Sequence, residues 1–84
     1  MNTVARAWKA AMVALTEARD LHERGGDAET VRDLLQHARE MIEIIEDEIN
    51  SEREKFPDPE VVRMAAAELR KRVDVAAATL VPLH

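Results

Sequence analysis

A histidine and two acidic residues near the middle of the chain have the spacing of metal ligands on one side of a helix. His37 and Glu40 form a His-x-x-Glu pair, and Asp33 precedes the histidine by four residues. Metal sites in helical bundles use Glu and Glu-x-x-His ligands that project inward from several helices. The apolar pattern described below places His37 and Glu40 on the outer side instead. The sequence therefore favours a solvated polar face and predicts no metal site.

Nucleophilic and acid–base catalysis have little support in the sequence. Ser51 is the sole serine, no histidine is spaced to meet it, and the 84-residue chain has no cysteine. A short chain with a core of alanine and aliphatic residues also leaves little concave volume for a substrate. We therefore expect a non-enzymatic protein that has no cofactor.

Acidic residues are concentrated in one part of the chain. Residues 27–55 carry ten acidic and four basic groups, whereas the whole chain has a formal net charge of −5. Such a run is often a solvated helix face, but it can also be a recognition surface for a basic partner. Three arginines of the third segment, Arg63, Arg70 and Arg72, could neutralise part of it. The candidate partner-binding acidic residues are Glu40, Glu43, Asp47 and Glu48.

Direct binding to nucleic acid or to a membrane is disfavoured by the charge and the aromatic content. The one compact basic cluster, Arg70-Lys71-Arg72, lies in a segment of zero net charge, while phosphate contacts need concentrated positive potential. Trp8 and Phe56 are the sole aromatic residues and offer no stacking platform for bases. No helix pairs a strong apolar face with a basic one, as a membrane-surface helix does.

The elements that carry these residues are indicated by an apolar spacing of 4 and 3 residues that restarts after each Gly or Pro break. This spacing averages about 3.5 residues, the period at which helices pack through a seam of a and d positions. The sequence therefore predicts an all-α antiparallel three-helix bundle, a helical hairpin with a third helix, packed like a coiled coil. The predicted seams are Val4, Trp8, Ala11, Leu15, Ala18 and His22; Val31, Leu35, Ala38, Ile42, Ile45 and Ile49; and Val62, Ala66, Leu69, Val73, Ala76, Leu80 and Leu83.

Breaks and capping residues set the predicted helix ends within a single domain, residues 1–84. Gly25 and Gly26 end helix 1, which covers about residues 3–24, and Asp27 caps helix 2, which covers about residues 27–55. Pro57 disfavours helical geometry in the residue before it, and Asp58 followed by Pro59 begins helix 3, about residues 58–81.

Helix 2 is also expected to carry an intermolecular contact. At these bounds it would be about 43 Å long, longer than helices 1 and 3, whose many alanines give a thin core. A second apolar strip lies beside its seam at Leu34, Met41 and Ile44. Either helices 1 and 3 cover the two sides of helix 2, or the strip contacts another chain. We expect an oligomer, with the strip as the main contact.

Taken together, these features predict a small cytoplasmic interaction module, an adaptor, cochaperone or inhibitor that presents helix 2 to a protein partner or to further copies of itself. The cytoplasmic location rests on the short apolar runs, which are unlike a signal-peptide core or a membrane span. The alternative function is regulation of nucleic-acid-binding machinery through the acidic surface. A metal-binding or enzyme subunit is a distant third.

Overall fold

The computed structural model describes residues 3–51 and 55–81, which form three α-helices. Helix α1 covers Thr3–Glu23, α2 covers Ala28–Ser51 and α3 covers Pro59–Leu80. The predicted all-α class is confirmed, and both predicted breaks lie where the helices are interrupted. The molecule measures 42 × 23 × 15 Å along its principal axes.

Helix α1 ends in a glycine-based motif. Gly25 has a φ of 73°, in the left-handed region that glycine adopts without steric cost. Its amide donates to the carbonyl of His22, and the amide of Gly26 donates to the carbonyl of Leu21 at 2.8 Å. This pair of hydrogen bonds is the Schellman motif, which satisfies the last carbonyl groups of a helix.

Aspartates cap the two following helices. A carboxylate oxygen of Asp27 accepts hydrogen bonds from the backbone amide and the hydroxyl of Thr30. Asp58 has an extended backbone and accepts from the amide of Val61, and Pro59 occupies the first turn of α3. Both aspartates satisfy amide groups that a helix cannot pair internally.

The predicted end of helix 2 lies next to residues that the structure does not describe. We expected helix to about Lys55; the described part of α2 reaches Ser51, and residues 52–54 lie outside the described part of the chain. Lys55 and Phe56 are not helical, and Pro57 disfavours helical geometry in the residue before it. At 1.5 Å per residue the 24 residues of α2 span about 36 Å, close to the lengths of α1 and α3.

The three helices are antiparallel neighbours with α2 in the centre. One core cluster combines residues from the start of α1, the end of α2 and the start of α3, including Val4, Ile45 and Ala66. The second cluster joins the opposite ends, including Ala18, Val31 and Val73. Contacts of α2 with α1 are the most extensive, those with α3 are fewer, and α1 and α3 touch little. Both flanking helices are therefore held mainly through α2.

The predicted seam of α2 is confirmed in full, because Val31, Leu35, Ala38, Ile42, Ile45 and Ile49 are all buried. In α3, Ala66, Leu69, Val73 and Ala76 are buried as predicted, whereas Val62 and Leu80 are half-buried. Leu83 lies outside the described residues. Among the buried residues that the structure describes, none is polar.

The predicted seam of α1 is confirmed at Val4, Ala11, Leu15 and Ala18, which are buried, and it differs from the structure at two positions. Trp8 is half-buried and His22 is exposed, while Ala7 and Ala14, which the predicted seam omitted, are buried. The helix turns its alanine face toward α2, because small side chains allow two helices to approach closely while a large indole is accommodated at the edge. His22 is therefore not a core residue.

Candidate interaction surface

The outward side of α2 carries five exposed acidic residues, with Gln36, His37 and Ile44 lying between them. A helix advances about 100° per residue, so the positions opposite the buried seam of α2 can be read from the sequence. All of them are exposed. The acidic face, as the name is used below, consists of Glu29, Asp33, Glu40, Glu43 and Asp47.

Two ion pairs join α2 to α3 beside this face. Arg39 of α2 binds Asp74 of α3, with 2.9 Å between Nη2 and Oδ1. Seven residues further along α2, Glu46 accepts two hydrogen bonds from Arg70 of α3, and the shorter one measures 2.6 Å from Nη2 to Oε1. Both pairs lie on the flank of α2 that faces α3. They therefore engage charged side chains at the edge of α2 and not those on its outward side.

Two arginines expected to neutralise the acidic surface bind elsewhere. Arg63 pairs with Glu60 at 2.6 Å and Arg72 lies 3.9 Å from Glu68, both within α3. Of the three arginines named from the sequence, Arg70 alone reaches α2. Its pKa is raised by the hydrogen bond with Glu46, against the opposing effect of desolvation, and by the charges of Glu46, Asp74 and Glu43.

The central part of the acidic face consists of Glu40, Glu43 and Asp47. Within the described residues, none of the three takes part in an ion pair. Glu43 contributes to the field at Arg70 without contacting it. Glu48 is half-buried on the flank that faces α1, so it lies apart from the other three. The predicted acidic site is therefore brought together at Glu40, Glu43 and Asp47.

The apolar strip predicted beside the seam is divided between core and surface. Leu34 and Met41 are half-buried and pack against the core clusters of their own chain. Ile44 is 37% exposed and, with Met41, lines a shallow depression completed by Thr3, Arg6 and Ala7 of α1. Ile44 is thus the part of the strip available to a partner, at the margin of the acidic face.

A cleft between the start of α2 and the end of α3 was not anticipated from the sequence. It encloses about 470 Å³ and is lined by Arg32, Arg39 and Asp74 together with the apolar side chains of Leu35 and Val81. The ion pair between Arg39 and Asp74 lies in its wall and uses one of the two arginines. No sequence motif marks this cleft, since its residues come from separate helices.

Two further features considered from the sequence are a metal site and a membrane-spanning helix. In residues 3–51 and 55–81, no three acidic or histidine side chains lie close enough together to hold a metal ion. In the same residues, no helix has the length and the apolar content needed to cross a bilayer.

The fold and its surface define an all-α chain whose central helix exposes an acidic face. No protein-family model, no curated protein and no solved structure matches this chain. The proposals below therefore depend on the geometry of this molecule.

Proposed function

We propose that the protein is a non-enzymatic interaction module that presents the acidic face of α2 to a basic surface on a protein partner, as an adaptor, cochaperone or inhibitor. The contact is centred on Glu40, Glu43 and Asp47, with Ile44 as its apolar contact. A cytoplasmic location belongs to the same proposal.

The observation that carries this proposal is which charged residues of α2 and α3 form ion pairs and which do not. The cross-helix ion pairs engage Arg39 and Glu46 at the edge of α2, and the remaining arginines of α3 pair within their own helix. Glu40, Glu43 and Asp47 form no ion pair within the described residues, and Glu43 interacts with Arg70 only at a distance. Exposed charges of this kind accelerate encounter with an oppositely charged partner and select against acidic ones.

The mixed character of the surface supports a protein partner. Ile44 offers a large aliphatic side chain at 37% exposure next to three carboxylates. Protein interfaces combine an apolar centre with a polar margin. The partner should therefore present Lys or Arg residues around an apolar pocket.

The proposal is tested by affinity capture with matched charge variants. The variant of the acidic face is Glu40→Gln/Glu43→Gln/Asp47→Asn. Its control, Glu17→Gln/Asp20→Asn/Glu23→Gln, removes the same charge from exposed positions of α1. We expect a captured protein that is lost with the α2 variant, is kept with the α1 variant and is weakened by 0.5 M salt, since about 0.15 M already screens exposed charges beyond roughly 8 Å. Equal loss in both variants, or none in either, would reject the acidic face as the binding site.

The alternative is regulation of nucleic-acid-binding machinery. In this case the acidic face binds a partner protein at the site that a nucleic acid would otherwise occupy. The observation behind this alternative is the set of exposed carboxylates along one side of α2, which present negative charge as a nucleic acid does. Competition separates the two versions: a duplex DNA added to the captured complex should displace the protein in this case, and should leave an adaptor or cochaperone complex intact.

A further inference from the structure

Helix α3 exposes large apolar side chains on the side that faces away from the bundle. Val61 is 58% exposed, Met64 is 71% exposed and Val75 is 56% exposed. They lie roughly opposite the buried residues of α3, such as Leu69 and Val73, which face α2 and α1. No described part of the chain covers them. Exposed apolar side chains aligned along one side of a helix mark a candidate interaction site.

These residues belong to a second regular seam. Positions 61, 64, 68, 71, 75 and 78 alternate steps of 3 and 4 residues, as a and d positions do in a coiled coil. All six are exposed. The outer seam of α3 consists of Val61, Met64, Glu68, Lys71, Val75 and Ala78.

We propose that the outer seam of α3 binds the same seam of a second copy, with the two helices antiparallel around a two-fold axis that passes between positions 69 and 70. This arrangement places each a position opposite a d position of the other copy, as antiparallel coiled coils require. Val61 then meets Ala78, Met64 meets Val75, and Glu68 meets Lys71. By symmetry each of these contacts occurs twice.

The charges of the outer seam select the second copy and its direction. In the antiparallel arrangement the two charged positions at the centre are complementary, and Lys71 forms no ion pair within the described part of its own chain. Glu68 lies 3.9 Å from Arg72, a long and exposed contact that leaves it available. A parallel arrangement would instead oppose Glu68 to Glu68 and Lys71 to Lys71.

The shape of the surface beside the outer seam of α3 also suits a second copy of the chain. A shallow depression beside the seam is lined by Ala67, Lys71, Val75 and Ala78 together with the charged side chains of Arg70 and Asp74. The proposed arrangement brings Met64 of the second copy opposite Val75. Methionine is unbranched and flexible, so it can fill an irregular depression.

Charge reversal tests the register directly. Glu68→Lys places Lys opposite Lys71 at two symmetric positions, and Lys71→Glu places Glu opposite Glu68 in the same way. We expect the wild-type protein to have twice the mass of one chain by light scattering at micromolar concentration. Each single variant should dissociate about 10-fold more readily, because two attractive contacts become repulsive.

Recombination is the decisive result. An equimolar mixture of the Glu68→Lys and Lys71→Glu chains restores complementary charges at both positions, so it should form a heterodimer, and the double variant should form a homodimer again. Glu17→Lys and Lys9→Glu are controls at exposed positions of α1, and circular dichroism monitors helix content. A wild-type protein that stays at one chain's mass up to 100 µM, or single variants that associate as well as wild type, would overturn the proposal.

A cysteine cross-link gives a second measurement. The chain has no natural cysteine, so Met64→Cys and Val75→Cys chains can be mixed and oxidised. We expect efficient disulfides between the two variants and little between two Met64→Cys chains, whose positions would lie about 16 Å apart along the helix axis. Preferential linkage of Met64→Cys to itself would reject the antiparallel register. Neutralising the acidic face of α2 should leave the dimer mass unchanged, so the outcome is independent of the partner proposed for α2.

Discussion

Arg70 on α3 binds Glu46 on α2 through two nitrogen atoms of its guanidinium group. Nε donates to Oε2 at 3.2 Å and Nη2 donates to Oε1 at 2.6 Å. The two side chains are 34% and 39% exposed. This fork of hydrogen bonds and the Arg39–Asp74 pair are the polar links between α2 and α3 in the described residues.

The coupling between Glu46 and Arg70 should be small but measurable. In a double-mutant cycle of Glu46→Gln and Arg70→Met, we expect an interaction free energy of about 0.5–1 kcal/mol, as for a well-formed pair near the surface. Urea denaturation at low salt measures it, and 1 M NaCl should reduce it. A coupling of zero at low salt would mean that the pair positions α3 without stabilising it.

The arginine in this pair should hold its charge over all ordinary pH values. The hydrogen bond with Glu46 raises the pKa of Arg70 in the folded protein. A raised pKa of a base adds stability that is present below the unfolded pKa and is lost as the pH rises through the folded one. For arginine this loss begins above about pH 12. The free energy of unfolding of wild type minus that of Arg70→Met should therefore stay constant between pH 7 and pH 10.

Two adjacent isoleucines provide a matched test of the core. Ile45 is fully buried and Ile44 is 37% exposed. Ile45→Ala should lower the free energy of unfolding by about 2–5 kcal/mol, because it removes buried methyl groups and leaves a cavity. Ile44→Ala should cost less than about 1 kcal/mol. Urea denaturation of both variants compares them, and similar losses would place the α2 seam in another register.

The glycine pair at the end of α1 should respond unequally to substitution. Gly25 has a φ of 73° and no atom near the place where a Cβ would sit, so Gly25→Ala should cost about 1 kcal/mol from backbone strain alone. Gly25→Asn should cost less, since asparagine tolerates this conformation. A Cβ at Gly26 would overlap the side chain of Leu21 and lie 2.9 Å from its carbonyl oxygen. Gly26→Ala should therefore be the most destabilising of the three by thermal denaturation.

Stability and partner binding should oppose each other on the acidic face. Glu43 and Asp47 are like charges one helical turn apart, whereas a Glu followed four residues later by Lys is favourable. Asp47→Lys should raise the free energy of unfolding by roughly 0.5–1 kcal/mol while it weakens capture of a basic partner. A variant that is destabilised would show that Asp47 has a structural role.

The sequence predicted the helices and their order because their breaks use residues with strict backbone preferences, such as Gly25 and Pro57. It also predicted the whole buried seam of α2, where branched side chains alternate with charged ones. In α1 it predicted four of the buried positions and missed Ala7 and Ala14, because alanine favours helix on any face and these two carry no sign of burial. Trp8, which the sequence assigned to the seam, is half-buried.

Of the two candidate surfaces, one was predicted from the sequence and the other was not. The acidic face of α2 could be predicted because its charges lie on one helix at a fixed angular spacing. The outer seam of α3 was missed, because Glu68 and Lys71 interrupt its apolar residues and the inner seam offered a stronger pattern on the same helix. The ion pairs that leave Glu40 and Asp47 unpaired depend on how two helices dock, and helical periodicity alone does not specify this.

The unequal attachment of the outer helices to α2 implies an order of opening. The α1–α2 hairpin closes through a four-residue turn and has the more extensive interface, whereas α3 rests on fewer contacts. Amide hydrogens of α3 should therefore exchange with solvent through a partial unfolding that leaves the hairpin intact, and those in the middle of α2 only through global unfolding. When α3 detaches and unfolds in this way, the contacts on its inner side and on its outer side are lost together. A molecule bound to the outer side of α3 would therefore also slow the exchange of amide hydrogens on its inner side.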